Sequence, residues 1–173
     1  MRIRKNWAVS AMALLLVLVV LAGCAGAAPA HDCDVAVSLD DALAAQDKAM
    51  AGLMMGSVEL TNAEFSSLVT ELIKQNAAGV PIEMVAACFT EDGMDLDISF
   101  TDGTSLHTSG NIAVADNQVV VDLASAGMNG MAVAEGFLPV VEGAINRALG
   151  DASLGVAVDV STGDGTLAVS LGQ

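Results

Sequence analysis

The sequence predicts an α+β protein: a curved antiparallel sheet with helices packed on one face, in the order α, βα, ββββ, α, ββ. Three observations carry this. Apolar residues recur every three or four positions in three stretches, and between residues 82 and 126 they alternate with polar ones. Within that alternating region, Asp92-Gly93, Asp102-Gly103 and Asp116-Asn117 punctuate the apolar runs. Spacing of the first kind gives amphipathic helices, strict alternation gives a sheet with one buried face, and the punctuating pairs form hairpin turns.

The elements follow in order. Ser38, with Asp41 three residues on, can cap a helix over Leu39–Met55. Leu39, Ala42, Leu43, Gln46, Met50, Leu53 and Met54 form its expected apolar stripe; the methionine cluster Met50, Met54 and Met55 could line an adaptable apolar site, with core packing the more frequent use, and Gly56 ends it. Ser57-Val58-Glu59-Leu60 is a short strand. Thr61-Asn62-Ala63-Glu64 then forms a capping box, followed by Phe65, Leu68, Val69, Leu72 and Ile73 at helical spacing, with an end near Ala78-Gly79. Four strands come next, as a meander. Met94, Leu96, Ile98 and Phe100 face inward, then Leu106, Thr108, Gly110, Ile112 and Val114, then Val119, Val121 and Leu123. Pro139 suits the first turn of a third helix, whose stripe is Val140, Val141, Ala144, Ile145, Ala148 and Leu149, with Gly150 as its stop. A hairpin closes the chain: Leu154, Val156, Val158 and Val160, a turn at Gly163-Asp164-Gly165, then Leu167, Val169 and Leu171.

Before this domain stand a basic start, Arg2, Arg4 and Lys5, and an apolar run from Ala11 to Leu21. Eleven residues are too few to span a bilayer comfortably and match a signal peptide. The run ends in Leu21-Ala22-Gly23-Cys24, which resembles the lipobox of bacterial membrane lipoproteins. That resemblance implies transfer of a diacylglycerol to the Cys24 thiol, removal of a leader at 1–23, and a further acyl chain such as palmitate on the new N-terminus. At about 0.8 kcal/mol for each buried methylene, two or three chains hold the protein firmly at a membrane. The expected location is extracytoplasmic, in the cell envelope, and Ala25 lacks an aspartate-type retention signal, which permits outer-membrane sorting. Residues 24–37 would form the lipidated tether and 38–173 a single domain.

After the leader, Lys48, Lys74 and Arg147 stand against 21 acids, a net charge of −18. A surface so acidic repels nucleic acid and anionic headgroups, which excludes DNA and RNA as partners; it also suits a high-salt habitat. With Trp7 in the leader and no Tyr anywhere, the rings that sugar sites and interface hot spots favour are missing. Cys33 and Cys88 remain for an oxidising compartment, where they either form a disulfide or stay as separate thiols, with Cys88 packed as a small apolar residue.

VELTNAEFSSLVTEL, then a meander containing ADNQVVVDLASAGMNG, then FLPVVEGAINRAL and a closing hairpin resemble envelope lipoproteins of the tubular lipid-binding (TULIP-like) type. A mycobacterial-type lipoprotein fold, also helix on curved sheet, is a close competitor. Such a half-TULIP-like domain implies binding or shuttling of a lipid or other long apolar ligand in a groove between helices and sheet. Its expected lining is Leu68 and Leu72 from one helix, Met94, Leu96, Ile98, Phe100, Ile112 and Val121 from the sheet, and Val141 and Ile145 from the other helix. The alternative is a structural, assembly or interaction lipoprotein with a filled core.

Catalysis finds little support, and neither an enzyme nor a cofactor is expected. His107 shares outward parity with Ser99 and Asp97, but no nucleophile-elbow motif accompanies them. Glu91-Asp92-Gly93-Met94-Asp95-Leu96-Asp97 loosely resembles a calcium loop without the spacing of one, so no metal is assigned.

Overall fold

A computed structural model describes residues 33–76, 80–128, 131–132, 136–152 and 157–171. The leader, Cys24, the tether up to residue 32, and Ala78, Gly79, Leu154 and Val156 lie outside the described residues, as do the side chains of Leu53 and Val158.

The chain is α+β, with the expected element order. Helix α1 (Leu39–Met55) leads to β1 (Ser57–Thr61) and α2 (Asn62–Asn76). Strands β2 (Ile82–Thr90), β3 (Gly93–Phe100), β4 (Ser105–Ala115) and β5 (Gln118–Met128) form an antiparallel meander, extended by the two-residue β6 (Met131–Ala132). Helix α3 (Leu138–Ala152) and the hairpin β7 (Ala157–Gly163) and β8 (Thr166–Leu171) follow. The strands divide between two sheets, in the orders β2-β3-β4-β5-β6 and β1-β8-β7.

That division has a local cause. In a five-stranded sheet whose outer strands offer unpaired N–H and C=O groups, further strands would add at those edges. Here helix side chains occupy them. Ser66 Oγ accepts from Ala87 N at 2.8 Å and donates to Ala87 O, while Thr70 Oγ1 accepts from Val85 N at 3.0 Å and donates to Val85 O. Asn62 Oδ1 accepts from Phe89 N at 3.0 Å. Asn62, Ser66 and Thr70 are four residues apart, so one face of α2 covers the β2 edge. At the other edge, Asn146 of α3 accepts from Val121 N at 2.7 Å and donates to Val121 O at 2.9 Å, and Glu142 accepts from Leu123 N at 3.0 Å. With both edges taken, β1 and the closing hairpin pair with one another and pack across the meander, β7 against β4.

Local signals behave as their chemistry requires. In the capping box, Glu64 N donates to Thr61 Oγ1 at 3.3 Å, and Thr61 N donates to Glu64 Oε2 at 2.9 Å. Ser38 caps α1 by accepting from Asp41 N at 3.1 Å, while its own N–H donates to Ser67 Oγ. Gly56 ends α1 in the left-handed region, and its N–H donates to Gly52 O. Asp116 and Asn117 both take positive φ, forming the two-residue turn between Ala115 and Gln118.

Along β3 the expected alternation holds at every position: Met94, Leu96, Ile98 and Phe100 are buried and the residues between them are not. On β5 the register shifts. Ser109 pairs with Ser125 but Gly110 pairs with Leu123, leaving Ala124 as a bulge. Parity flips there, so Ala126 and Met128, instead of Ser125 and Gly127, pack on the core. Gly110 admits no side chain, because a Cβ would lie 2.4 Å from Asp122 O.

Two expectations about helix faces need correction. Helix α1 buries Ala42, Ala45 and Gly52, whereas Leu39, Leu43, Met50 and Met54, read as its buried stripe, are 63%, 50%, 65% and 89% exposed. Gln46 is exposed as well. Close approach is seen at Gly52, where a Cβ would lie 2.8 Å from Ser57 O and 2.9 Å from Val58 Cβ, so no side chain fits at that position. On α3, Val140 is exposed rather than buried, because it lies outside the sector formed by Val141, Ala144, Ile145 and Ala148.

Candidate functional site

The expected ligand seam lies between the helices and the meander, and its residues do come together. Met94, Leu96, Ile98, Phe100, Val121, Val141 and Ile145 belong to one buried cluster, on which the partly buried Leu68, Leu72 and Ile112 also pack. They fill the seam with one another. Leu96 is 2% exposed, Ile98 0%, Val141 1% and Ile145 1%, so these side chains are core. Phe65 and Phe89 meet edge to face at 5.0 Å between centroids, and Phe100 tilts against Phe137 at 5.9 Å.

On the opposite, wetter face lies a polar group. Cys33 and Cys88 form a disulfide, with Cα atoms 5.6 Å apart, which ties the segment before α1 to β2. A second tie reinforces it: Cys33 N donates to Asp97 Oδ2 at 3.0 Å. His107 stands directly across from Asp97 in the β3–β4 register, and its Nδ1 abuts Asp97 Oδ1 as an ion-pair contact without regular hydrogen-bond geometry. Ser99 lies two pairs along, opposite Ser105. The structure therefore joins Asp97 and His107 but uses the carboxylate structurally, to hold Cys33, and places no nucleophile on the imidazole among the described residues.

Near the β2–β3 turn, a cleft of about 240 Å³ is lined by Asp92, Asp95, Ser109, Asn111 and neighbouring residues. It contains part of the loose calcium-like run, of which Asp97 is already engaged with Cys33 and His107. Among the described residues, no three His, Cys, Asp or Glu side chains are grouped to hold a metal ion. Nor is any described helix long and apolar enough to cross a membrane.

Helix α1 supplies charge as well as apolar surface. Lys48 Nζ lies 2.8 Å from Glu64 Oε1, so this cation is committed to the α2 capping box. Burial raises the Glu64 pKa, but the hydrogen bonds from Lys48 and Thr61 and the lysine charge outweigh it and hold the carboxyl below its ordinary value. Sequence reasoning missed one feature: Ser66, Ser67 and Thr70 are buried polar residues on α2, signalled only by the four-residue spacing of Ser66 and Thr70. The methionines of α1 it read chiefly as core, whereas Met50, Met54 and Met55 are all exposed.

In comparisons with known proteins, no family model matches the chain and no curated protein matches it.

Proposed function

We propose that the chain is a non-enzymatic, membrane-anchored interaction or assembly lipoprotein, held through acyl chains on Cys24 and presenting one rigid acidic domain. The observation that carries this reading is the filled seam: the residues that would line a ligand groove pack on one another. A structural disulfide supports an extracytoplasmic setting, since such bonds persist in oxidising compartments. The L-A-G-C run at 21–24 supports the anchor.

Lipid binding is the second reading, favoured by the meeting of all ten expected lining residues at one helix–sheet seam. It requires that seam to open. An acyl chain would have to part α2 or α3 from the sheet, against the hydrogen bonds that Ser66, Thr70, Glu142 and Asn146 make to strand edges.

Native mass spectrometry of protein extracted mildly from membranes tests the choice. A ligand-free domain that takes up no fluorescent fatty acid is expected; a stoichiometric co-purified lipid transfers the function to the second reading. The same spectra test the anchor, because a mature chain beginning at Ala25 or later without lipid excludes it.

A further inference from the structure

The exposed apolar side of α1 is unexplained by the core, by the anchor or by the disulfide. At about 100° per residue, Leu39, Leu43, Met50 and Met54 fall within about 60° of one another on the helix. With exposures of 50% to 89%, they form two apolar pairs, Leu39 with Leu43 and Met50 with Met54, along one line of the helix with Gln46 and Asp47 between them, on the side away from the buried Ala45 and Gly52. Asp40 and Asp47, both exposed, lie along one margin of that stripe. Lys48 does not neutralise them, because its ammonium is engaged by Glu64.

We infer that this stripe is the docking surface for a cationic amphipathic helix of a partner protein. The inference deepens the reading of the chain as an interaction module and rests on it. Apolar side chains at helical spacing offer the positions a second helix packs against, and methionine's unbranched, polarizable side chain adapts to varied partners. The aspartates select the partner's charge. A helix with Lys or Arg beside its apolar residues pairs with Asp40 and Asp47, and the chain's net charge steers it in.

Two other occupants fit less well. Helices that lie in a membrane surface carry Lys and Arg beside the apolar face, whereas here the margin is aspartate. A second copy would bring aspartate margins together between two molecules each of net charge −18 after the leader.

The test uses the full chain as isolated from cells, in zwitterionic nanodiscs if it partitions into membranes and in buffer if it does not. The probe is a labelled synthetic Leu/Lys amphipathic helix, read by fluorescence anisotropy, with a scrambled peptide of the same composition as control. Binding of the amphipathic peptide at least about tenfold tighter than the scrambled one is expected. A Met50→Gln/Met54→Gln variant should lose about tenfold in affinity, Asp40→Asn/Asp47→Asn should flatten the salt dependence, and Val140→Gln on α3 should change neither. These side chains are exposed, so unchanged thermal melts verify folding. Equal binding of the two peptides, or equal losses from the α1 and Val140 variants, overturns the inference. So does sedimentation showing self-association that the methionine variant abolishes, or binding of neutral vesicles that it abolishes. An unlipidated Cys24 would remove the anchor while leaving the peptide-binding result unchanged, so the two failures are distinguishable.

Discussion

The two edges of the five-stranded sheet are sealed by the same device and in opposite environments. At the β2 edge, Ser66 and Thr70 each satisfy a backbone N–H and C=O of one residue through a single hydroxyl, in positions 0% and 1% exposed. At the β5 edge Asn146 does the same for Val121 through a longer amide and Glu142 accepts from the Leu123 N–H alone, both half-buried. The first seal is dry and uncharged; the second is reachable by water. The disulfide joins β2 as well, from the wetter face, so one half of the domain has a dry edge and a cross-link while the other is held by packing and half-exposed polar groups. Water is what separates them. A buried backbone group that loses its partner costs its full desolvation, whereas one near water finds a substitute.

The largest expected effect tests the cross-linked side. Its bridge spans 55 residues, and reduction or Cys88→Ala should lower unfolding free energy by about 4 kcal/mol on chain-entropy grounds, measured by denaturant titration. A loss below about 1 kcal/mol would mean that the Asp97 and Ser66 contacts already hold that side without it.

Next comes the hydroxyl seal. Thr70→Val keeps the shape and orphans the Val85 N–H and C=O, so a loss of about 2 kcal/mol is expected. Asn146→Ala on the other edge should cost about 1 kcal/mol, because water reaches Val121 once the amide is gone. Equal costs would remove dryness as the difference between the two edges. Hydrogen exchange sharpens the comparison without a substitution: the amides of Val121 and Leu123 should exchange before those of Val85 and Ala87.

The smallest effect is electrostatic. The Glu64 carboxyl is held below its ordinary value in the folded chain, so it contributes stability above the ordinary value of 4.5 and loses it as pH falls through the lower folded-state value. Lys48 is half exposed and screened, so Lys48→Met should cost about 0.5–1 kcal/mol at neutral pH and less under acid, measured by melts across the acidic range.

Much of the fold was legible in the sequence because its signals are local. The capping box at 61–64, the strict alternation over 94–100 and the turn at Asp116-Asn117 each depend on residues within a few positions of one another. The candidate surfaces were less legible. The pattern that named ten lining residues is the same whether a seam is open or filled, since alternation records which side faces inward and not how closely the opposite layer approaches. Likewise, the four-residue spacing of Asn62, Ser66 and Thr70 reads as an ordinary polar helix face until a strand edge is placed beside it.

Helix α1 draws the line most clearly. Its existence, its cap at Ser38 and its end at Gly56 were set by the sequence alone, through hydrogen bonds that close within a turn. Which side it buries was decided by tertiary structure. The helix runs so close to β1 that Gly52 has no room for a Cβ, and Ala42 and Ala45 are buried with it. Leu39, Leu43, Met50 and Met54 stand outside despite their hydrophobicity.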